Sequence, residues 1–336
     1  MTVAAAVLAA CAFNTIHGVA QLDEDVVTGL IDSNDEGDRV YVGTIYSGDR
    51  WDARSRLRAI NPATGSQTAS VLSSSTNPIR AVAQSVSDSG VWVLLDDGTL
   101  VKRTKDLSLT STSTGFFTAP SGTLERFCDL EQLPIGHFVA TGVYEDSNGD
   151  LRGFWNYVQP HPAFPGSWYN SWTSYPVDPS ADPDKACPRV SHETNTSETI
   201  FLQPYRYVGG VTSHQIGRYE EYSWDGGGGN IYYGLSYVGA WTTSVSDKWL
   251  VGDITSEYGK VVIARQHVTD LSSGYLEIFS QTSGVSDDTV NLQRARAVDF
   301  ALWEQVSSDI STVLWWGGRE ADTGSSYELG VFGFVE

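Results

Sequence analysis

Apolar and polar residues alternate along this chain in short runs rather than returning every three or four positions. No stretch of three helical turns carries apolar residues at i, i+3, i+4 and i+7. Segments such as Arg39-Val40-Tyr41-Val42-Gly43, Val91-Trp92-Val93-Leu94-Leu95, Trp249-Leu250-Val251-Gly252-Asp253 and Thr312-Val313-Leu314-Trp315-Trp316 recur instead. Their β-branched and aromatic side chains suit a pleated, half-buried surface. Gly, Asn, Asp and Ser clusters cut these runs, and Asp97-Gly98, Asn148-Gly149, the run Gly226 to Gly229 and Tyr258-Gly259 read as hairpin turns. The pattern predicts an all-β chain.

The runs also repeat. A small or apolar segment, a Ser/Asp turn, a strongly apolar strand, a hairpin and two more strands open near Val26, Arg80, Arg126, Arg189, Trp241 and Arg296, and four of these six openings carry Arg followed by apolar residues. Dividing 336 residues by six units gives 56 each, against roughly 40 to 50 for a four-stranded propeller blade. The expected fold is a six-bladed β-propeller of four-stranded antiparallel sheets, a single domain over residues 1–336. Only three strands are legible after Arg296, and the apolar segment at residues 2–12 has no unit of its own. That segment is expected to supply the outer strand of the last blade, closing the ring and removing an exposed sheet edge. A large β-sandwich or a pair of jelly rolls is the competing architecture.

Val42-Gly43-Thr44 followed by Leu57-Arg58-Ala59-Ile60-Asn61-Pro62-Ala63-Thr64-Gly65 resembles the blade signature of quinoprotein-like and related propellers, in which a strand ends in a tight Asp/Asn-Pro-x-Thr-Gly turn. The match covers one blade and implies the fold, not an activity.

Composition narrows the partners. Of 21 basic residues 16 are Arg and 5 Lys, while 26 Asp and 15 Glu bring the formal net charge to -20. Such a surface repels phosphates, which argues against nucleic acid and anionic membranes as partners, and it is easiest to tolerate where salt screens it. No run of eighteen apolar residues offers a membrane-spanning helix. Leu8-Ala9-Ala10-Cys11 looks like a lipoprotein cleavage box, but no Lys or Arg precedes it, so the segment reads as a structural strand. Cys11, Cys128 and Cys187 are expected to be buried, inert thiols.

Candidate chemistry is sparse. Asp129, Glu131, His192, Glu193, Asp253, Asp299 and Glu304 fall on or near inner strands, where two facing carboxylates could act as acid and base on a glycoside. No spacing selects a pair. A sialidase box is not met, because Ser87-Asp88-Ser89-Gly90-Val91-Trp92 is one residue too short. Asp32, Asn34 and Glu36 alternate like the front of a calcium loop, the only cofactor suggested, although the closing bidentate Glu is missing and a polar hairpin explains them as well. Asn148-Gly149 is expected to form a type I′ turn. Asn195-Thr196-Ser197 matches a glycosylation acceptor.

The aromatic stretch from Pro160 to Pro176 is too rich in Pro for a central strand, and it sets Trp168, Tyr169, Trp172 and Tyr175 in or beside an extended connection as partner- or glycan-binding candidates. About half of these rings are expected to pack between blades instead. Tyr219, Tyr222 and Trp224, beside the tetraglycine turn, form a second patch. The Ser/Thr/Gly-rich β body, acidic surface and lack of a catalytic motif resemble spike or tail propeller proteins of bacterial or archaeal viruses. The resemblance implies a non-enzymatic component of the virion, joined to other virion proteins in an oligomeric assembly and touching a host-surface receptor. A carbohydrate- or lactone-active propeller enzyme and a cell-surface binding module are the alternatives.

Overall fold

A computed structural model describes residues 16–22, 24, 26–33, 37–47, 54–177, 187–192, 199–203, 205–208, 211–244, 249–257, 260–267, 274–280, 283–291, 295–305, 311–320 and 327–335. The chain opens with β1 (Ile16–Leu22). Blade 1 is β2 (Val26–Ser33), β3 (Val40–Ser47), β4 (Arg54–Asn61) and β5 (Ser66–Leu72). Blade 2 is β6 (Ile79–Gln84), β7 (Val91–Leu95), β8 (Leu100–Arg103) and β9 (Leu109–Ser113). Blade 3 is β10 (Thr123–Gln132), β11 (Phe138–Glu145), β12 (Leu151–Pro160) and β13 (Trp168–Pro176). Blade 4 comprises β14 (Arg189–His192), β15 (Thr199–Gln203), β16 (Tyr205–Val208), β17 (Val211–Asp225) and β18 (Ile231–Ser244). Blade 5 is β19 (Trp249–Glu257), β20 (Lys260–His267), β21 (Gly274–Ser280) and β22 (Ser286–Asn291). Blade 6 is β23 (Ala295–Gln305), β24 (Ser311–Glu320) and β25 (Tyr327–Val335), with β1 added outside β25.

Among the described residues these strands form six antiparallel sheets, each meandering outward from its first strand. The first strands β2, β6, β10, β14, β19 and β23 touch in that order, and β23 returns to β2, so the ring closes. Blade 4 keeps the four-strand plan, because β15 and β16 pair with β17 on one register, Thr199 opposite Glu220 and Tyr205 opposite His214.

Closure comes from the start of the chain, as expected, but through a later segment. Ile16 pairs with Phe332 and Leu22 with Tyr327, whereas residues 2–12 lie outside the described residues. Ile16-His17-Gly18-Val19-Ala20-Gln21-Leu22 mixes β-branched and polar residues around a register shift between Gly18 and Ala20, while residues 3–12 are rich in Ala, which strands disfavour. The opening expected at Trp241 is likewise displaced: Trp241 lies inside β18, and the first strand of blade 5 begins at Trp249.

The core lies between blades rather than within one. Phe116, Phe117, Phe127, Phe138 and Phe154 fill the seam of blades 2 and 3 with Leu94 and Leu100. Tyr41, Leu57, Val82, Val91 and Val93 fill that of blades 1 and 2. Hairpin loops depend on glycine at single points. Gly98 has φ +78° and its α-carbon faces the Phe117 carbonyl so closely that a Cβ would collide with it. Asn148 does not share the left-handed conformation of Gly149, so the expected type I′ turn does not form there. Its loop is instead closed by Asp146, whose carboxylate accepts the Asn148 N–H at 2.8 Å.

Cys128 and Cys187 are bonded to each other, 59 residues apart, and not free thiols. Cys128 sits on β10 with Val143 and Val177 around it, and Cys187 precedes β14, so the bridge ties the first strand of blade 3 to the entrance of blade 4. Cys11 lies outside the described residues. Among the described residues no helix is long and apolar enough to cross a membrane.

Candidate interaction surface on blades 3 and 4

Two groups of aromatic residues marked in the sequence meet in space. β13 is an edge strand, paired with β12 from Pro160 opposite Trp168 to Arg152 opposite Pro176. The four candidate rings are therefore on a strand and not in a connection; an edge strand tolerates the prolines that a central one would not. The two-residue period of a strand then divides the rings. Trp168 and Trp172 share a face with the blade 2 side of β12, where Phe154 and Val158 join the seam with blade 2. Trp168 rests against Phe116, with ring centroids 4.4 Å apart. Trp168 is 38% exposed and Trp172 46%. Tyr169 and Tyr175 point the other way, toward blade 4. Tyr175 packs with Trp155 and Tyr219, and its hydroxyl is buried without a partner, which pushes its pKa well above 10.

Blade 4 answers with an overhanging hairpin. β15 pairs with β17 no further than Glu220, yet β17 and β18 stay paired to Asp225 opposite Ile231. The overhang lies against blade 3. Gln159 on β12 donates its side-chain amide to the Tyr233 carbonyl at 2.8 Å and accepts the Tyr233 N–H at 3.1 Å, completing both backbone groups as a neighbouring strand would. Tyr169 meets Tyr232 edge to face, centroids 5.1 Å apart, and Trp224 at 6.4 Å.

Beneath the overhang a polar group is buried. The Tyr157 hydroxyl donates to Glu221 Oε1 at 2.5 Å, and His137 Nδ1 lies 2.5 Å from that hydroxyl and 3.3 Å from the carboxylate. With its hydroxyl hydrogen directed at Glu221 Oε1, the Tyr157 oxygen can accept from His137 in the tautomer that carries a proton on Nδ1. The Glu221 side chain is 2% exposed and its Oε2 has no partner. Nearby on β14, His192 is buried with neither ring nitrogen hydrogen-bonded. Burial lowers its pKa to about 4, outweighing the opposite pull of the Glu221 carboxylate.

This fixes the sign of a pH effect. The unfolded chain binds a proton at His192 below its ordinary pKa of 6.5, while the folded chain resists until about 4. Stability is thus complete above pH 6.5 and falls as pH drops from 6.5 to about 4, by roughly 3 kcal/mol for this group at ~1.4 kcal/mol per unit. Urea unfolding across that window should show the slope, and His192→Asn should flatten it; equal slopes in both proteins would refute the assignment.

Among the described residues the other candidates do not form one cluster. Asp32 Oδ1 accepts the Ser33 N–H at 2.7 Å and Oδ2 accepts the Gln84 N–H across the blade 1–2 seam. Asn34 and Glu36 lie outside the described residues, and both oxygens of Asp32 accept backbone N–H groups. Among the described residues no three His, Cys, Asp or Glu side chains could share a metal ion. Asp129 repeats the Asp32 arrangement: Oδ1 accepts the Leu130 N–H at 2.9 Å and Oδ2 the Val190 N–H of the next blade at 3.0 Å. These inner-strand carboxylates bind neighbouring blades together. Glu193 and Asn195-Thr196-Ser197 lie outside the described residues, as do the side chains of Asp253, Asp299 and Glu304. His137, Tyr157, Gln159 and Glu221 escaped sequence reasoning, because nothing local marks a His and a Glu 84 residues apart as partners.

No family model matches the chain, and no curated protein matches it in sequence. Among solved structures it is similar to a chain of the mitotic checkpoint complex, at 10% identity and TM-score 0.47, covering 94% of this chain and 79% of that one. It is similar to Sqt1 of Saccharomyces cerevisiae at 14% identity and TM-score 0.43, covering 88% and 69%. It is also similar to a subtype N10 neuraminidase-like protein of A/little yellow-shouldered bat/Guatemala, at 10% identity and TM-score 0.48, covering 97% and 100%. The strand order alone identifies the fold: a six-bladed β-propeller whose last blade is completed by β1.

Proposed function

We propose that the chain is a non-enzymatic interaction protein of a virus particle, a spike or tail-associated propeller that assembles with other virion proteins and presents a contact surface to the host. The observation that carries the contact role is the pair of tryptophans, Trp168 and Trp172, held in the open on an edge strand. Two indole rings exposed on the same face of one strand form an apolar patch of the kind that partners cover. The acidic, Lys-poor composition supports a particle exterior in ionic surroundings, and the Cys128–Cys187 bridge suits a protein that spends its working life outside a reducing cytosol. The same bridge favours, as a second reading, a binding module on a cell surface. Engagement of Asp129 by two backbone N–H groups favours both over channel catalysis.

Mass spectrometry of particles purified from a producing culture should find the chain at stoichiometric abundance; its absence from particles with presence on cell envelopes would move it to the second reading. Replacing Trp168 and Trp172 together by Ala should weaken association with those particles or with host cells at least about tenfold. The melting temperature should hardly move, because both rings are partly solvated and, among the described residues, only Trp168 has a ring beneath it. A large loss of stability with association unchanged would assign the pair to the core.

A further inference from the structure

The overhanging hairpin carries a second aromatic surface, built independently of the Trp168–Trp172 pair. Tyr222 and Trp224 lie two residues apart on one face of β17, with Gly234 and Tyr232 as their partners on β18. The Tyr222 and Trp224 rings are within 27° of parallel with centroids 5.3 Å apart, and Trp224 and Tyr232 within 19° at 5.6 Å. Gly234 makes this possible. A Cβ there would stand 3.2 Å from the Tyr222 ring and 3.3 Å from that of Trp224, so both rings would have to shift by a few tenths of an ångström for Ala and further for a branched side chain. The three rings thus stack in a row along the hairpin with Trp224 between Tyr222 and Tyr232, and Tyr222, at the end of the row, is 48% exposed.

The platform is held still from behind. Glu221, between Tyr222 and Glu220 on the opposite face, is anchored to Tyr157, and Gln159 fastens Tyr233. Tyr169 and His161 brace Tyr232 from the side. At the tip, Asp225 accepts the Gly227 N–H at 2.7 Å and the Asn230 amide donates to the Gly227 carbonyl at 2.9 Å. Fixed rings lose little freedom when a ligand arrives.

We propose that this platform binds a neutral oligosaccharide, with a sugar ring laid against Tyr222, the exposed end of the stack that Trp224 and Tyr232 support. Flat pyranose faces present C–H groups that pack on aromatic faces, while their hydroxyls reach outward to the phenol groups and to the exposed Asp225 at the tip. Charge selects among sugars: Glu220 and Asp225 are exposed beside the rings, and the whole chain carries -20, so a sialylated or uronate chain is repelled. The inference rests on the reading of the chain as a contact protein and names the chemistry of one ligand.

The test uses the full chain, with cellohexaose, maltohexaose and chitohexaose as neutral probes and polysialic acid as the charged one, followed by tryptophan fluorescence and saturation-transfer NMR. At least one neutral probe should bind, with saturation transfer to its ring protons. Trp224→Ala and Tyr222→Ala should each weaken that binding about tenfold or more, and Gly234→Val should do the same by tilting the rings. Trp168→Ala with Trp172→Ala should leave it unchanged. Because Trp224 also packs on Tyr169, the more exposed Tyr222 variant decides the matter if the Trp224 variant does not fold. Binding of none of the neutral probes, binding of polysialic acid alone, or affinity unchanged in Tyr222→Ala would overturn the proposal. If sugar binding fails while the Trp168/Trp172 variant still loses association with particles or cells, the platform falls and the contact reading stands.

Discussion

A chain lacking residues 1–22 is expected to lose its cooperative thermal transition and to aggregate on expression. Without β1, blade 6 keeps three strands and ends on β25, whose sequence Tyr327-Glu328-Leu329-Gly330-Val331-Phe332-Gly333-Phe334-Val335 would present an unpaired row of backbone donors and acceptors. A long apolar edge of that kind recruits other chains. Glu24, just beyond the cut, would remain to pair with Arg58 at 2.8 Å and Arg56 at 3.4 Å, but that anchor fixes the connector and not the missing strand. Size-exclusion chromatography and calorimetry of the truncated chain give the answer. A monomer melting like the full chain would mean that β1 is dispensable and the closure incidental.

Removing the disulfide should cost nearly as much. Cys128→Ser with Cys187→Ser opens a covalent loop spanning the 59-residue separation, and loop-closure entropy in the unfolded chain then accounts for about 4 kcal/mol at that length. Cys128 is 2% exposed, so the serine hydroxyls add a burial cost of their own. The urea midpoint of the double variant, or of the reduced wild type, should fall accordingly. Coincident unfolding curves with and without reductant would show that the bridge contributes nothing.

The propeller could be read from the sequence because its unit is local. Alternation over five to eight residues, cut by Gly and Asp, needs no knowledge of distant partners, and the inner strands at Val26, Ile79, Thr123, Arg189 and Ala295 begin within three residues of the expected openings. The displaced opening has a local cause. β17 and β18 run to 15 and 14 residues, far beyond the usual five or six, so the chain is still inside β18 at Trp241, opposite Ile216. Apolarity alone points to the Ala-rich run at residues 2–12 for the closing strand, because the bulge between Gly18 and Ala20 hides the period of two in Ile16–Leu22.

The site was legible in its ingredients and not in its arrangement. Trp168, Tyr169, Trp172 and Tyr175 were marked as one group; the pleat sends alternate rings to different blades, so Tyr169 belongs with Trp224 and Trp168 with Phe116. The disulfide and the Glu221–Tyr157–His137 group join residues 59 to 84 positions apart. Periodicity does not encode such pairings, because they arise only when neighbouring blades dock.

The pairing of β1 with β25 also sets how the molecule answers to force. Ile16 stands opposite Phe332, so the free end of β1 and the tail of β25 leave the sheet on the same side. Pulling those two ends apart would peel the seam open one backbone bond after another, at low tension.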